Sequence, residues 1–237
     1  MKKYVNLFVF VFMIGACLSQ GRAQTKSAVS YKNPVVDIAM PDPTVIKAAD
    51  GYFYVYATES TRNVPIMKSK DLVEWTYCNT AFTNKTRPRF EPKAGIWAPD
   101  INYINGKYVL YYAMSVWGGE QTCGIGVATA NSPQGPFTDH GKMFRSNEIG
   151  VQNSIDPSLL QYEGRNYLVW GSFRGIYVIE LTADGLSIMS GAKKKRIAGT
   201  AFEAVYIHKH DDYYYMFASI GSCCQGCLLY TSDAADD

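Results

Sequence analysis

Apolar positions in this chain gather into short runs, and the runs come in pairs joined by polar turns. Ser158-Leu159-Leu160 is followed by the turn Tyr162-Glu163-Gly164-Arg165 and then by Tyr167-Leu168-Val169-Trp170-Gly171-Ser172. The pairing recurs three times. Pro43-Thr44-Val45-Ile46 leads through Asp50-Gly51 to Tyr52-Phe53-Tyr54-Val55-Tyr56-Ala57. Ile101-Asn102-Tyr103-Ile104 leads through Asn105-Gly106 to Tyr108-Val109-Leu110-Tyr111-Tyr112-Ala113. Ala204-Val205-Tyr206-Ile207 leads through Asp211-Asp212 to Tyr213-Tyr214-Tyr215-Met216-Phe217-Ala218. The second run of each pair is apolar at nearly every position, which marks a strand covered on both faces. A third run follows in the first three units: Val64–Ser69, Gly124–Thr129 and Gly175–Ile179. Each unit opens on an acid (Asp42, Asp100, Asp156, Glu203), spaced 58, 56 and 47 residues apart.

Short strands repeating at roughly 50 residues predict a β-propeller, because one such hairpin cannot bury its faces alone and must stack on its neighbours. With the first strand of each unit lining the axis, the four acids converge at one end of the central channel. The repeat therefore predicts a carboxylate cluster.

The ends of the chain read differently. Lys2 and Lys3 precede an apolar run from Val5 to Cys17, too short for a membrane span and in keeping with a secretory signal over residues 1–23, cleaved after Gly21-Arg22-Ala23. Ile14-Gly15-Ala16-Cys17 is also similar to a lipobox, which leaves the alternative of an outer-membrane lipoprotein anchored at Cys17. Both readings place the protein outside the cytoplasm, periplasmic or secreted. Residues 24–37 are a polar lead-in, and residues 38–226 carry the propeller pattern, enough for one sizeable core. Residues 227–237 resemble the translation of a transposon adapter used in sequencing libraries, and are read as an artefact. On that reading the rest of the fourth unit and any fifth lie beyond residue 226, and the chain alone is expected to be unstable or inactive, since an open ring leaves strand edges bare.

Composition changes the picture little. Lys and Arg number 23 against 21 Asp and Glu, and removing the leader brings the charge near neutral, which points away from nucleic acid. The only basic run, Lys193-Lys194-Lys195-Arg196, reads as a solvated loop between blades. Cys78, Cys123 and Cys223-Cys224 force no pairing and have no zinc-cluster spacing; they read as buried free thiols. His140, His208 and His210 sit beside turns or charges and read as surface residues. The 18 tyrosines suit a β core and a sugar site equally.

Four blocks carry a family resemblance: Met40-Pro41-Asp42-Pro43-Thr44-Val45, Gly95-Ile96-Trp97-Ala98-Pro99-Asp100, Ser154-Ile155-Asp156-Pro157-Ser158 and Phe202-Glu203-Ala204-Val205-Tyr206-Ile207. Together they resemble family 43 glycoside hydrolases. Gln121–Gly126 and Gly221–Gly226 resemble its arabinanase branch. Val205 departs from the family pattern, which often has Pro there. The resemblance implies a five-bladed propeller, of which about four blades are present, and an exported enzyme that hydrolyses α-1,5-L-arabinan of plant cell walls with inversion.

Inversion needs a carboxylate that activates water and an opposed carboxylic acid that protonates the leaving oxygen. The resemblance implies Asp42 as base, Glu203 as acid, and Asp156 as the group that orients Glu203 and raises its pKa through like-charge proximity. It implies no cofactor for the chemistry; a structural calcium on the axis would take its ligand from beyond residue 226. Trp97 and Trp117 are candidate sugar platforms. Asn153 and Ser154 are candidate partners for sugar hydroxyls. Asp100 is a structural or substrate-lining acid. The expected partner is arabinan or an arabino-oligosaccharide, met by a monomer. Exo-acting arabinofuranosidase or β-xylosidase action on the same fold, and a non-catalytic glycan-binding propeller, are the alternatives.

Overall fold

The computed structural model describes residues 31–221 and, for backbone only, Leu228–Asp233. Its strands fall into four antiparallel sheets, each a meander in chain order. Blade one holds β1 (Thr44–Lys47), β2 (Phe53–Tyr56), β3 (Pro65–Ser69) and β4 (Trp75–Thr80). Blade two holds β5 (Gly95–Ile104), β6 (Lys107–Ser115), β7 (Gly124–Ala130) and β8 (Thr138–Arg145). Blade three holds β9 (Ser158–Tyr162), β10 (Arg165–Trp170), β11 (Ile176–Leu181) and β12 (Lys195–Ala198). Blade four holds β13 (Phe202–His210), β14 (Tyr213–Ile220) and β15 (Leu228–Asp233). One helical turn, α1 (Ser146–Ile149), separates blades two and three. The innermost strands β1, β5, β9 and β13 touch in succession, so the blades share an axis, as the repeat predicts for a propeller.

Burial follows the strand pattern. In β6 every residue after Lys107 is buried. Alternate side chains go to opposite neighbours, as a two-residue period requires. Leu110, Tyr112 and Met114 pack with Tyr54, Tyr56, Ile66 and Phe82 of blade one. Val109 and Tyr111 pack with Leu168, Trp170 and Leu181 of blade three. The outer strand β8 alternates instead, with one face in solvent. Gly126 of β7 stands opposite Tyr112, and a Cβ there would lie 2.3 Å from the phenol ring; the bare backbone makes room for the aromatic side chain.

Three expectations change. The basic run is not all loop: Lys195 and Arg196 begin the edge strand β12 and pair with Val178 and Tyr177. Charged side chains on an outer edge suit a strand that must not recruit another. Leu228–Asp233 lies along β14, with Leu228 opposite Ile220 and Asp233 opposite Tyr215. Backbone pairing of this kind makes few demands on sequence, and it occupies the place of a third strand.

The third change concerns the repeat itself. The backbone makes a left-handed step at the head of each innermost strand, at Asp42 (φ 49°), Ala98 (φ 40°), Asp156 (φ 57°) and Ala204 (φ 53°). These are the equivalent positions. In β5 and β13 the step falls at a bulge, between Trp97 and Asp100 and between Glu203 and Tyr206. Asp100 therefore does not open its strand: it lies two residues past the step, level with Thr44, Ser158 and Tyr206. Glu203 lies one residue before it. The left-handed conformation costs an L-residue about 1–2 kcal/mol, so its recurrence in four strands marks a geometry the fold enforces.

Candidate active site

The step at each strand head turns the backbone at the rim of the axis and presents the residue there to the shared centre. Asp42 and Asp156 occupy steps; Glu203 precedes one. The three carboxylates form one electrostatic group. Burial, followed by the charges of Asp42 and Glu203, pushes the pKa of Asp156 well up, while the Ala204 backbone N–H, hydrogen-bonded to its carboxylate, opposes the rise. Like-charge coupling among the three acids is therefore felt at Asp156.

Two hydroxyls fix the outer acids, and neither was identified from the sequence. Thr58 Oγ1 accepts the Ala98 N–H at 2.7 Å and stands 2.5 Å from Asp42 Oδ2. With the amide facing its oxygen, the single hydroxyl proton points to Asp42 and holds that group as an acceptor. Ser172 Oγ donates to Glu203 Oε2 at 3.1 Å. Ser172 is itself placed by an isolated bridge to Glu203 and by its carbonyl, which accepts from Asn153 Nδ2 at 3.0 Å. Thr58 follows β2 and Ser172 follows β10, each 16 residues after its blade's step at Asp42 or Asp156; that common offset is the one sequence signal that pairs them.

The remaining predicted residues separate. Ser154 is fully buried; its Oγ donates to the Val151 carbonyl and accepts from Trp170 Nε1. That correction makes it a packing residue without access to a ligand. Asn153 is half-buried, and its Nδ2 donates to the carbonyl of Ser172, so it supports the residue that holds the acid. Asp100 is 9% exposed. Its carboxylate accepts from Leu159 N–H and Asn102 Nδ2, each at 2.7 Å, and from Thr44 Oγ1 at 3.5 Å. Burial raises its pKa to about 6 against these three donors. Buried and held by three donors, it fits the structural role of the two expected for it rather than the substrate-lining one.

Trp97 and Trp117 do meet, with ring centroids 5.6 Å apart and planes tilted by 53°. Trp97 is half-buried over Ala113, Cys123 and Ile155. Trp117 is 82% exposed on a loop tied down through Glu120, which accepts both Nε and Nη2 of Arg174 at 2.9 Å. The pair is an apolar shelf one residue from the Ala98 step. A separate groove of about 530 Å³, lined by residues that include Tyr162, Arg165, Glu180 and Lys193, contains none of the acids.

His140, His208 and His210 are exposed, Cys123 is a buried free thiol and Cys78 a half-buried one; Cys223 and Cys224 lie outside the described residues, as does the leader. Among the described residues no cluster of three His, Cys, Asp or Glu side chains could hold a metal, and no helix is long and apolar enough to cross a membrane.

Comparison with known proteins fits this geometry. Residues 31–235 match the family model "Glycosyl hydrolases family 43". The chain is 35% identical over 198 residues to the extracellular endo-α-(1→5)-L-arabinanase 1 of Bacillus subtilis, covering 78% of this chain and 60% of that protein. Among solved structures, the Cellvibrio cellulosa α-L-arabinanase complexed with arabinohexaose superposes with a TM-score of 0.71 at 27% identity, over 83% of this chain and 70% of that one. An exo-1,5-α-L-arabinanase from a bovine ruminal metagenomic library gives 0.70 at 29%, over 86% and 74%. The chain spans about 60% of the length of the curated relatives it matches. The arabinanase neighbours are five-bladed β-propellers, and the four sheets here correspond to blades of that fold. With its acid-bearing strand heads, its radial sheets and a match along residues 31–235, this chain belongs to family 43 of the glycosyl hydrolases.

Proposed function

We propose that the protein hydrolyses α-1,5-linked L-arabinan with inversion, using Asp42 as base and Glu203 as acid. The observation that carries the reading is the charge group in which half-buried Asp156 stands under the influence of both Asp42 and Glu203. Three clustered carboxylates cannot all ionise freely at neutral pH. The retained proton belongs to the coupled group as a whole, so one carboxyl can act as acid while another acts as base. That division supplies what inversion requires: one carboxylate to take a proton from water and one carboxyl to give a proton to the leaving oxygen, set roughly 6.5–9.5 Å apart. Ser172 donates to Oε2 of Glu203 and holds that carboxyl in place.

The shelf of Trp97 and Trp117 suits the C–H faces of furanose rings. The arabinohexaose of the Cellvibrio complex and the name of the Bacillus enzyme support the arabinan assignment, and the latter supports secretion of this protein too. Lipidation at Cys17 remains the alternative export route. The axial calcium implied by the family resemblance would take its ligand from beyond residue 226, and no step is assigned to a metal. Exo action on the same linkage is the second reading, favoured by likeness to the ruminal enzyme. Product analysis decides it, since endo cleavage of long arabinan gives mixed oligosaccharides from the start.

The direct test is Glu203→Gln in the full-length protein. Reducing-sugar release should fall about 10²–10⁴-fold while arabino-oligosaccharide binding persists. Turnover at the wild-type rate removes Glu203 from the mechanism, and binding without any wild-type turnover favours a glycan-binding propeller instead.

A further inference from the structure

Aligning the blades on their left-handed steps exposes a repeated clasp. Two residues past the step in blade one, Thr44 Oγ1 accepts the N–H of Ile101, which lies three residues past the step in blade two, at 3.3 Å. Two past the step in blade two, Asp100 Oδ2 accepts the N–H of Leu159, three past the step in blade three, at 2.7 Å. The innermost strand of a blade has one edge unpaired within its own sheet, and its buried amides need acceptors from elsewhere. In both cases the preceding blade supplies one.

Asp100 does more than repeat the pattern. Thr44, two residues after Asp42, also donates to it from the other side. Tyr206, three residues after Glu203, has its hydroxyl pKa raised first by burial and then by the charge of Asp100. Leu159 is three residues after Asp156. The one carboxylate therefore bonds to the strands of Asp42 and Asp156, two and three residues past those acids. We propose that Asp100 is a positioning residue that sets the register of β1 against β9, and so the separation of Asp42 from Asp156. This deepens the hydrolase reading and rests on it.

The test compares Asp100→Ala with Asp100→Asn in the full-length protein. A carboxamide oxygen still accepts from Leu159 and Asn102, so the Asn variant keeps the clasp while losing the charge. Expected are a fall in kcat of about 10²-fold for D100A, the size of loss an ångström of misplacement causes, with KM little changed, and recovery to within about tenfold of wild type in D100N. A larger loss in D100N overturns the proposal, because charge or substrate contact then matters rather than register. D100N decides the matter alone if D100A does not fold. Hydrogen exchange at the Leu159 amide reads the clasp without turnover: faster exchange in D100A than in D100N supports it, and equal protection in both overturns it. A wild-type protein inactive on arabinan defeats the functional reading and leaves the exchange result standing.

Discussion

Blades two and four are written in the same pattern and are packed very differently. Step-aligned positions make the comparison direct: Leu110 and Met216 pair with Ile101 and Ile207, and Tyr111 and Phe217 follow them. Leu110 and Met216 both face the preceding blade. Tyr111 is fully buried against blade three and donates to the Gly185 carbonyl at 2.8 Å, whereas Phe217 is half-buried. Its face of blade four also carries Tyr206 and Tyr213, 53% and 49% exposed. An unbroken apolar run therefore states that a strand can be covered on both faces; what covers it is decided by another part of the molecule. The chemistry is divided unevenly too. Blade four supplies the proposed acid itself, while blade two supplies the Ala98 amide, the clasp at Asp100 and the shelf of Trp97 and Trp117.

The comparison is broken most directly by truncating the matched pair. Tyr111→Ala should cost about 3–5 kcal/mol, measured by denaturant unfolding. Phe217→Ala should cost about 1 kcal/mol, because a half-exposed ring leaves little cavity. Equal losses would mean that the faces are covered alike.

A smaller effect concerns Asp100, which accepts from Thr44, Asn102 and Leu159 and whose charge adds to burial in raising the hydroxyl pKa of Tyr111 and of Tyr206 in blade four. Its pKa lies above the ordinary carboxylate value, at about 6, so the folded state holds a proton that the unfolded state gives up. Stability from this group falls as pH rises from about 4 to 6. D100N has no such proton, so its stability relative to wild type should improve across that window, by at most about 3 kcal/mol; a constant difference counts against the buried carboxyl. The smallest effect concerns blade two's contribution to the base. Thr58→Val removes the hydroxyl between Ala98 and Asp42 and should lower kcat/KM about tenfold, near 1.4 kcal/mol, with Thr58→Ser restoring it. An unchanged rate would make Thr58 a packing residue.

Much of this was legible in the chain. Strand-turn-strand units, buried second strands and the third strands at Val64, Gly124 and Gly175 all follow from periodicity. Asp42 and Asp156, which open their units in the sequence, do stand at two of the steps. The register of the other two was hidden. Ala98 and Ala204 carry no side-chain signal for a left-handed backbone, so the nearby acids drew the alignment one residue early at Glu203 and two late at Asp100. Thr58 and Ser172 were missed because a hydroxyl acquires its role from partners 16 to 40 residues away. Ser154 was misread for the opposite reason: its neighbour Asp156 suggested a ligand, but Trp170 had already taken its oxygen.

The outer margin of blade three has a consequence for how copies of the protein meet. β12 ends its sheet, and its free side carries unpaired amides and carbonyls of the kind that zip onto a similar strand. Lys195 and Arg196 stand along that margin and are exposed. Two copies approaching there would bring like charges together before any backbone contact formed, a repulsion that salt would relax. The margin is thus a built-in deterrent to fibrous self-association, strongest in dilute buffer.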